Sequence, residues 1–509
     1  MRSGLPLALG AAALLFASCA HSQDPSPAAR RPNVLFVMTD QQRWDSVGAN
    51  GNRLVKTPNF DRLAAGGVNF THAFVQAPVC APSRVSFFTG RYAHAHRNRV
   101  NYTPLDRSEV LLQARLKEAG YRTASVGKLH YTPATPEEAR RTGFDDVELH
   151  DGVAFTDRFS DYVRWRQAND PQKDVPYRSL AKDVVAGKNP YRSAIAAEFT
   201  DTAWVGARAR RHLRELAAAG RPFFLYASFW KPHAPFEVPE PYASMYDGVE
   251  FPLPDRTTEE DLNKLPLPLR KLATRDGKGI LEMPRDRLQW MYRSYFGAIS
   301  HVDAEVGSLL ETLRELRLEQ DTVVLFSSDH GDQLLEHGIM GKNCFFEASV
   351  RVPFMISWPG RVKPGRHDTL VEAVDLLPTL FELAGLPEPR QSQGRSLAPL
   401  LADVGRAYVP REAVFSENVI PEVINSGRLD LPFEKGRGVD GVRHPDAKMV
   451  RTRRWKYAYY PDGYAELYDL ETDPGERANL AGQARVRDVE SKMKDRLLHW
   501  LTTASEADQ

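Results

Sequence analysis

Two carboxylates in this chain stand where apolar runs end. Asp40, followed by Gln41, comes after Asn33-Val-Leu-Phe-Val-Met38, and Asp329, followed by His330, comes after the run Thr322 to Ser327. If both runs are strands of one open α/β sheet, both carboxylates emerge at strand exits, where such sheets bind ligands. A lone Asp after a strand is more often a helix cap. Two of them, with an amide and an imidazole alongside, form an oxygen-rich shell suited to a hard divalent cation, which makes Asp40, Gln41, Asp329 and His330 candidate ligands. Cys80 is a different kind of candidate. Pro82 suits the first turn of a helix running through Thr89, so residue 80 falls at a helix N-terminus, where free N–H groups and partial positive charge favour an anion. Arg84 adds a fixed cation at the same point.

The elements that would position these groups alternate along the chain. Asn33 to Met38 reads as a strand buried on both faces, and a helix opens at Thr57-Pro58 and closes at Gly66-Gly67. The spacing predicts a helix over 108–119, a strand over 121–126, helical periodicity through 194–219 and a strand over 223–230. A further helix over 288–316 leads into the strand over 322–327. This predicts an α/β fold, a large mostly parallel mixed sheet with helices on both faces. Short strands over 448–452, 455–460 and 466–468, then a helix over 486–502, predict a smaller C-terminal antiparallel sheet carrying one helix. The expected division is a large α/β domain over 32–430 and a small α+β domain over 431–509.

Composition narrows the function classes. The 509 residues carry 67 Lys plus Arg against 66 Asp plus Glu, a formal net charge of +1. That balance lacks the basic footprint of a general nucleic-acid binder, and 42% apolar content argues against disorder. With three Cys, a disulfide scaffold is excluded. Arg2, the apolar run Leu5 to Phe16 and the small residues Ala17-Ser18-Cys19-Ala20 read as an export signal over 1–20, too short to span a bilayer. Phe16-Ala17-Ser18-Cys19 also resembles a bacterial lipobox, so a lipid anchor at Cys19 and free secretion both stand. Residues 21–31 read as a linker. The expected location is periplasmic, lipid-anchored or extracellular. If Cys19 is removed or lipidated, Cys80 and Cys344 remain, and a disulfide between them is one reading.

The segment Cys80-Ala-Pro-Ser-Arg-Val-Ser-Phe-Phe-Thr-Gly-Arg91 resembles the sulfatase signature at every fixed position. Thr39-Asp40-Gln41, Gly127-Lys-Leu-His130, Lys231-Pro-His-Ala-Pro-Phe236 and Ser328-Asp-His-Gly331 resemble further elements of the formylglycine-dependent sulfatases of the alkaline phosphatase superfamily. Gln41 is nearest the choline-sulfatase and phosphonate-monoester-hydrolase branch, and iduronate-sulfatase-like members share the pattern. Glu466-Leu-Tyr-Asp-Leu-Glu-Thr-Asp-Pro-Gly-Glu476 resembles the family's C-terminal tail.

The resemblance implies a mechanism. A formylglycine-generating maturation enzyme would oxidise Cys80 to the aldehyde, leaving Cys344 unpaired. One hydroxyl of the hydrated aldehyde would attack sulfur with help from the metal and displace the alcohol. The other would lose its proton, expel sulfate and restore the aldehyde. Arg84, Lys128, His130 and Lys342 would serve the reacting sulfate, and His233 would be the general acid to the leaving oxygen. Asn101, Lys128, His233 and Lys342 would contact substrate. Cys80 would join Asp40, Gln41, Asp329 and His330 around one divalent metal, with Ca2+ expected first and Mn2+ or Mg2+ as alternatives. The implied reaction is hydrolysis of a sulfate ester, on a sulfated small molecule or glycan. The alternatives are a phosphonate monoester or phosphodiester hydrolase on the same scaffold and a non-catalytic glycan-binding relative. Asn101 and Asn69 also head Asn-x-Thr sequons, which beside a bacterial lipobox read as chance matches. Substrate choice is expected from the loops 151–189 and 239–283.

Overall fold

The computed structural model describes residues 31–101, 103–131, 135–151, 160–174, 191–274, 281–419 and 446–504, together with Met1. The expected export signal and Cys19 lie outside the described residues, as do parts of both loops expected to select substrate.

Strand β1 (Asn33–Asp40) is buried along its whole length. Its alternation explains why: Val34, Phe36 and Met38 enter one apolar core and Leu35 and Val37 the other. β1 lies between β5 (Phe223–Pro232) and β6 (Thr322–Ser328), parallel to both. β3 (Arg122–Gly127) pairs in parallel with β5, and β4 (Asp146–Leu149) with β3. Beyond β6 the direction reverses. β8 (Phe354–Ser357) is antiparallel to β6 and to β2 (Val68–Phe74). β2 in turn pairs with β7 (Arg351–Val352) antiparallel and β9 (Gly365–Glu372) parallel, completing a nine-stranded mixed sheet.

Helices cover both faces. α1 (Pro58–Ala65), α3 (Asp201–Ala218) and α4 (Arg285–Glu315) bring Phe60, Trp204, Leu213, Ile299 and Val302 to the Leu35 face. α2 (Cys80–Thr89) and α5 (Leu376–Leu383) bring Val85, Phe87, Leu377 and Leu380 to the Phe36 face. α2 is buried at every residue and opens at Cys80 with Pro82 in its first turn.

The smaller sheet runs β10 (Val414–Val419), β11 (Asp446–Arg451), β12 (Trp455–Tyr459) and β13 (Ala465–Asp469), antiparallel throughout. α6 (Arg487–Ala504) packs on it through Met493, Leu497 and Trp500, whose ring stacks on Phe415 at 4.6 Å.

Several expectations shift. The helix expected from residue 108 starts at Leu112. The periodicity expected from residue 194 gives a 3-10 turn over Ala197–Phe199 and becomes α-helical at Asp201, where Thr200 accepts a hydrogen bond from Ala203 N and caps the helix. β10 carries no apolar alternation strong enough to announce it, and it lies on the N-terminal side of the division expected at 430/431. Residues Pro32–Gln509 cluster as one compact unit. Cys80 and Cys344 are both free thiols, which removes the disulfide reading. Among the described residues, no helix is long and apolar enough to cross a membrane.

Candidate active site

Gly127, Ser228, Met38 and Ser327 form one row across β3, β5, β1 and β6. The candidate groups follow within five residues of that row, at Lys128, His233, Asp40 and Asp329. Gly127 is required by geometry. Its φ is +94°, and a Cβ there would fall 1.9 Å from Ser228 O. The turn it permits sends Lys128 back across the strand ends, with Lys128 N bonded to Ser228 O at 3.1 Å.

At the centre stands Cys80, 1% exposed. Its Sγ lies 3.2 Å from His330 Nε2, 3.0 Å from Lys342 Nζ and 3.9 Å from Asp40 Oδ1. Arg84, one turn along α2 and fully buried, donates through Nε to Asp329 Oδ2 at 2.8 Å and through Nη2 to Asp40 Oδ2 at 3.2 Å. Its Nη1 is held by Lys128 O, Tyr226 Oη and Ser228 Oγ. Lys128 Nζ pairs with Asp40 Oδ2 and lies 4.1 Å over the Trp230 ring. Gln41 takes a left-handed φ of 67°, and its N–H donates to Asp329 Oδ1 at 3.0 Å. Its side chain bridges Asp332, through Nε2, and Lys342, which donates to Oε1 at 2.8 Å. Asn101 Oδ1 accepts from Ala81 N at 3.0 Å, tying its chain segment to the start of α2.

Two further histidines adjoin these groups. His233 is half-buried, with Nδ1 2.6 Å from Ala234 O and its ring 4.7 Å from that of Trp230. Trp230 thus contacts both His233 and Lys128. His130 is buried on a left-handed φ of 53°, close enough to Lys128 to feel its charge.

The electrostatics follow from this packing. Burial opposes charge on Asp40, but Lys128, His233, Lys342 and Arg84 hold its carboxyl well below the ordinary range. Burial and the charge of Asp40 push Asp329 the other way, upward. Two buried carboxylates side by side resist joint ionisation, and a divalent cation between them would remove the conflict. One ligand atom each from Asp40, Cys80, Asp329 and His330 lies within 4.8 Å of the others. If Cys80 carries the hydrated aldehyde that its signature implies, an oxygen would stand where Sγ is, and the donors would be oxygens and one imidazole nitrogen, a set that fits a hard divalent ion. Burial resists a thiolate at Cys80, as does Asp40, yet Lys128, Lys342 and His330 bring its thiol well below the ordinary value. The centre favours negative charge at residue 80.

Residues 32–386 match the family model for sulfatases. The chain belongs to the sulfatase family. It is 29% identical to an arylsulfatase of Clostridium perfringens over 90% of this chain and 92% of that protein. A multifunctional alkaline phosphatase superfamily protein of Trinickia caryophylli is 30% identical, covering 91% of this chain and 94% of its own. Among solved structures, the phosphonate monoester hydrolase of Agrobacterium radiobacter superposes with a TM-score of 0.79 at 28% identity, over 93% of this chain and 96% of that one. The sulfatase is therefore an α/β enzyme of the alkaline phosphatase superfamily, and its family implies both a metal and formylglycine.

Sequence reasoning missed several groups that shape this sulfatase site. Tyr226 and Ser228 hold Arg84, Trp230 touches Lys128 and His233, and Asp332 orients Gln41. Asp332 had a signal, lying three residues past Asp329. Trp230 precedes the Lys231-Pro-His233 element but reads as ordinary strand core.

Proposed function

We propose that the sulfatase hydrolyses a sulfate ester carried on a carbohydrate, with Cys80 converted to formylglycine and one divalent ion, Ca2+ first, held by Asp40, Gln41, Asp329 and His330. The observation that carries this is Cys80 itself, at a buried helix N-terminus with Lys342 and His330 at its sulfur. The two groups the family implies would supply a nucleophilic oxygen that can later release sulfate, and a Lewis acid to polarise it.

The chain's own residues do the rest. Arg84, Lys128 and Lys342 set three fixed cations against the two carboxylates Asp40 and Asp329, so an anion entering beside the metal meets preorganised positive charge. Lys128 stays charged although buried, because Asp40 and the residue-80 group outweigh the burial. His233 keeps Nδ1 on the Ala234 carbonyl, which leaves Nε2 for the leaving oxygen. Burial, then Lys342, push His233 down to about 3 in the free site. The imidazole therefore starts neutral, and an anionic substrate brings the charge that lets it take up the proton it will donate.

Cys80 and all of α2 are buried, which supports action of the maturation enzyme on the chain before it folds. Export, with or without lipid anchoring at Cys19, suits that order and a glycan substrate outside the cell.

A phosphonate monoester or phosphodiester reading is kept by Gln41 and Asn101 and by the likeness to the Agrobacterium enzyme. One pair of measurements on protein from its native host tests both. The tryptic peptide Leu63 to Arg84 should carry the aldehyde mass at Cys80, and sulfated saccharides should release sulfate faster than an aryl phosphonate monoester is cleaved. An intact thiol would overturn the mechanism, and the reverse substrate order would install the phosphonate reading. His233→Ala should slow a sugar sulfate by about 10²–10⁴-fold and slow 4-nitrophenyl sulfate much less, since a good leaving group needs no acid.

A further inference from the structure

Lys342 comes from a stretch, 341–346, that belongs to no helix or strand. Two of its residues are left-handed, Gly341 at φ 89° and Asn343 at 72°. From the large sheet's side it is held by Gln333 N on Gly341 O at 2.7 Å and Asn343 N on Pro78 O at 3.2 Å. Asp332 Oδ1 also accepts Gly341 N at 3.1 Å, and Gln41 Oε1 accepts Lys342 Nζ at 2.8 Å. Further restraints come from the small sheet. Asn418 Nδ2, on β10, donates to Asn343 O at 2.7 Å. Lys456 Nζ, on β12, donates to Phe345 O at 2.8 Å, three residues past Lys342.

Lys456 is 1% exposed, and its ammonium also meets Glu347 Oε1 at 2.8 Å and Glu476 Oε1 at 2.7 Å. Glu476 Oε2 in turn accepts Glu347 N at 2.7 Å. A buried ammonium is tolerated only when its hydrogen-bonding demands are met, and here a loop carbonyl is one of three partners. Phe345 and Phe346 close the contact, packing in one core with Ala458, Tyr460 and Tyr468. Glu476 is the last residue of the tail segment that began at Glu466, and the reaction described above gives that segment no task.

We propose that Lys456, seated between Glu347 and Glu476 and assisted by Asn418, is a positioning residue that holds the 341–346 segment so that the Lys342 ammonium stands at residue 80. The small sheet thereby completes the active site, and the tail segment works by fixing Lys456. This rests on Lys342 acting on the sulfate, as argued above.

A double-mutant cycle on the full, matured, metal-loaded enzyme tests it. Lys456→Met should lower kcat by about 10- to 100-fold with KM little changed, as loss of a supporting contact does. Lys456→Arg should recover part of that loss. Combined with Lys342→Ala, Lys456→Met should cost almost nothing further, because the group it positions is gone. Asn418→Ala, a smaller change, should behave likewise with a several-fold effect, and it decides the matter if Lys456→Met does not fold. Wild-type kcat in folded Lys456→Met overturns the proposal. So does an equal loss from Lys456→Met, or from Asn418→Ala, with and without Lys342. Unchanged turnover in Lys342→Ala alone would instead remove Lys342 from the reaction, and the positioning role with it.

Discussion

Asp40 ends one of four adjacent parallel strands and Lys128, His233 and Asp329 follow the other three, whereas Lys342 arrives on a stretch with no regular structure. The first four inherit their placement from strand register. Gly127, Ser228, Met38 and Ser327 are already in one row, and neighbouring strands lie ~4.8 Å apart, so short extensions converge on one spot. The other region works against backbone preference. Leu334, Leu335, His337, Gly338, Gly341 and Asn343 all have positive φ, and the non-glycine members each cost about 1 kcal/mol or more. Side chains offset that cost. Asp332 Oδ1 receives both Leu334 N and Gly341 N, His337 stacks on Phe346 at 3.7 Å, and the small sheet grips the far end. Where strands deliver a residue, its position comes with the core. Where a loop delivers it, the position must be held by dedicated contacts.

That contrast predicts different costs for losing a cation in each region. Arg84→Met should do the greatest damage, because it leaves Asp40 and Asp329 buried without their shared guanidinium. Folding stability should drop by about 3–5 kcal/mol in denaturant unfolding, along with activity. Lys342→Ala should lower kcat by about 10²–10³-fold, on the order of 3 kcal/mol of transition-state stabilisation, with the unfolding midpoint unchanged. A lowered midpoint there would show that the loop cation is structural after all, and the contrast would fail.

The smallest effect concerns pH. Burial, and then the charge of Glu347, lift Glu476 to about 7 from an ordinary 4.5, although Lys456 opposes this. The folded protein therefore holds a proton that the unfolded chain releases between about pH 4.5 and 7, and stability should fall as pH rises through that window. Glu476→Gln should flatten this part of the Tm–pH profile. A slope unchanged by the substitution would place the titrating group elsewhere.

Cys80 and Arg84 were legible because their chemistry is written in consecutive residues at a helix start. Asp40 and Asp329 were legible because an apolar run marks a strand and a strand's end marks a ligand site. Lys128, His233, Lys342 and Asn101 could be named only through resemblance, since a single Lys, His or Asn in a loop carries no periodic signal. Trp230, Asn418 and Lys456 gave no warning of any role, and Asp332 gave only its nearness to Asp329. Lys456 sits in a short strand where a solvated lysine would read the same, and its partners Phe345, Glu347 and Glu476 are remote in sequence.

The amino-acid sequence by itself determined the alternating elements, the helix that begins at Cys80 and the carboxylates at the ends of β1 and β6. These follow from local preference and apolar periodicity, which act over a few residues at a time. Only the tertiary structure decided which charges would be buried together and which region would hold the lysine at residue 80. Desolvation makes each such pairing all-or-none, and it depends on groups that come within 3 Å of one another only after both sheets have formed.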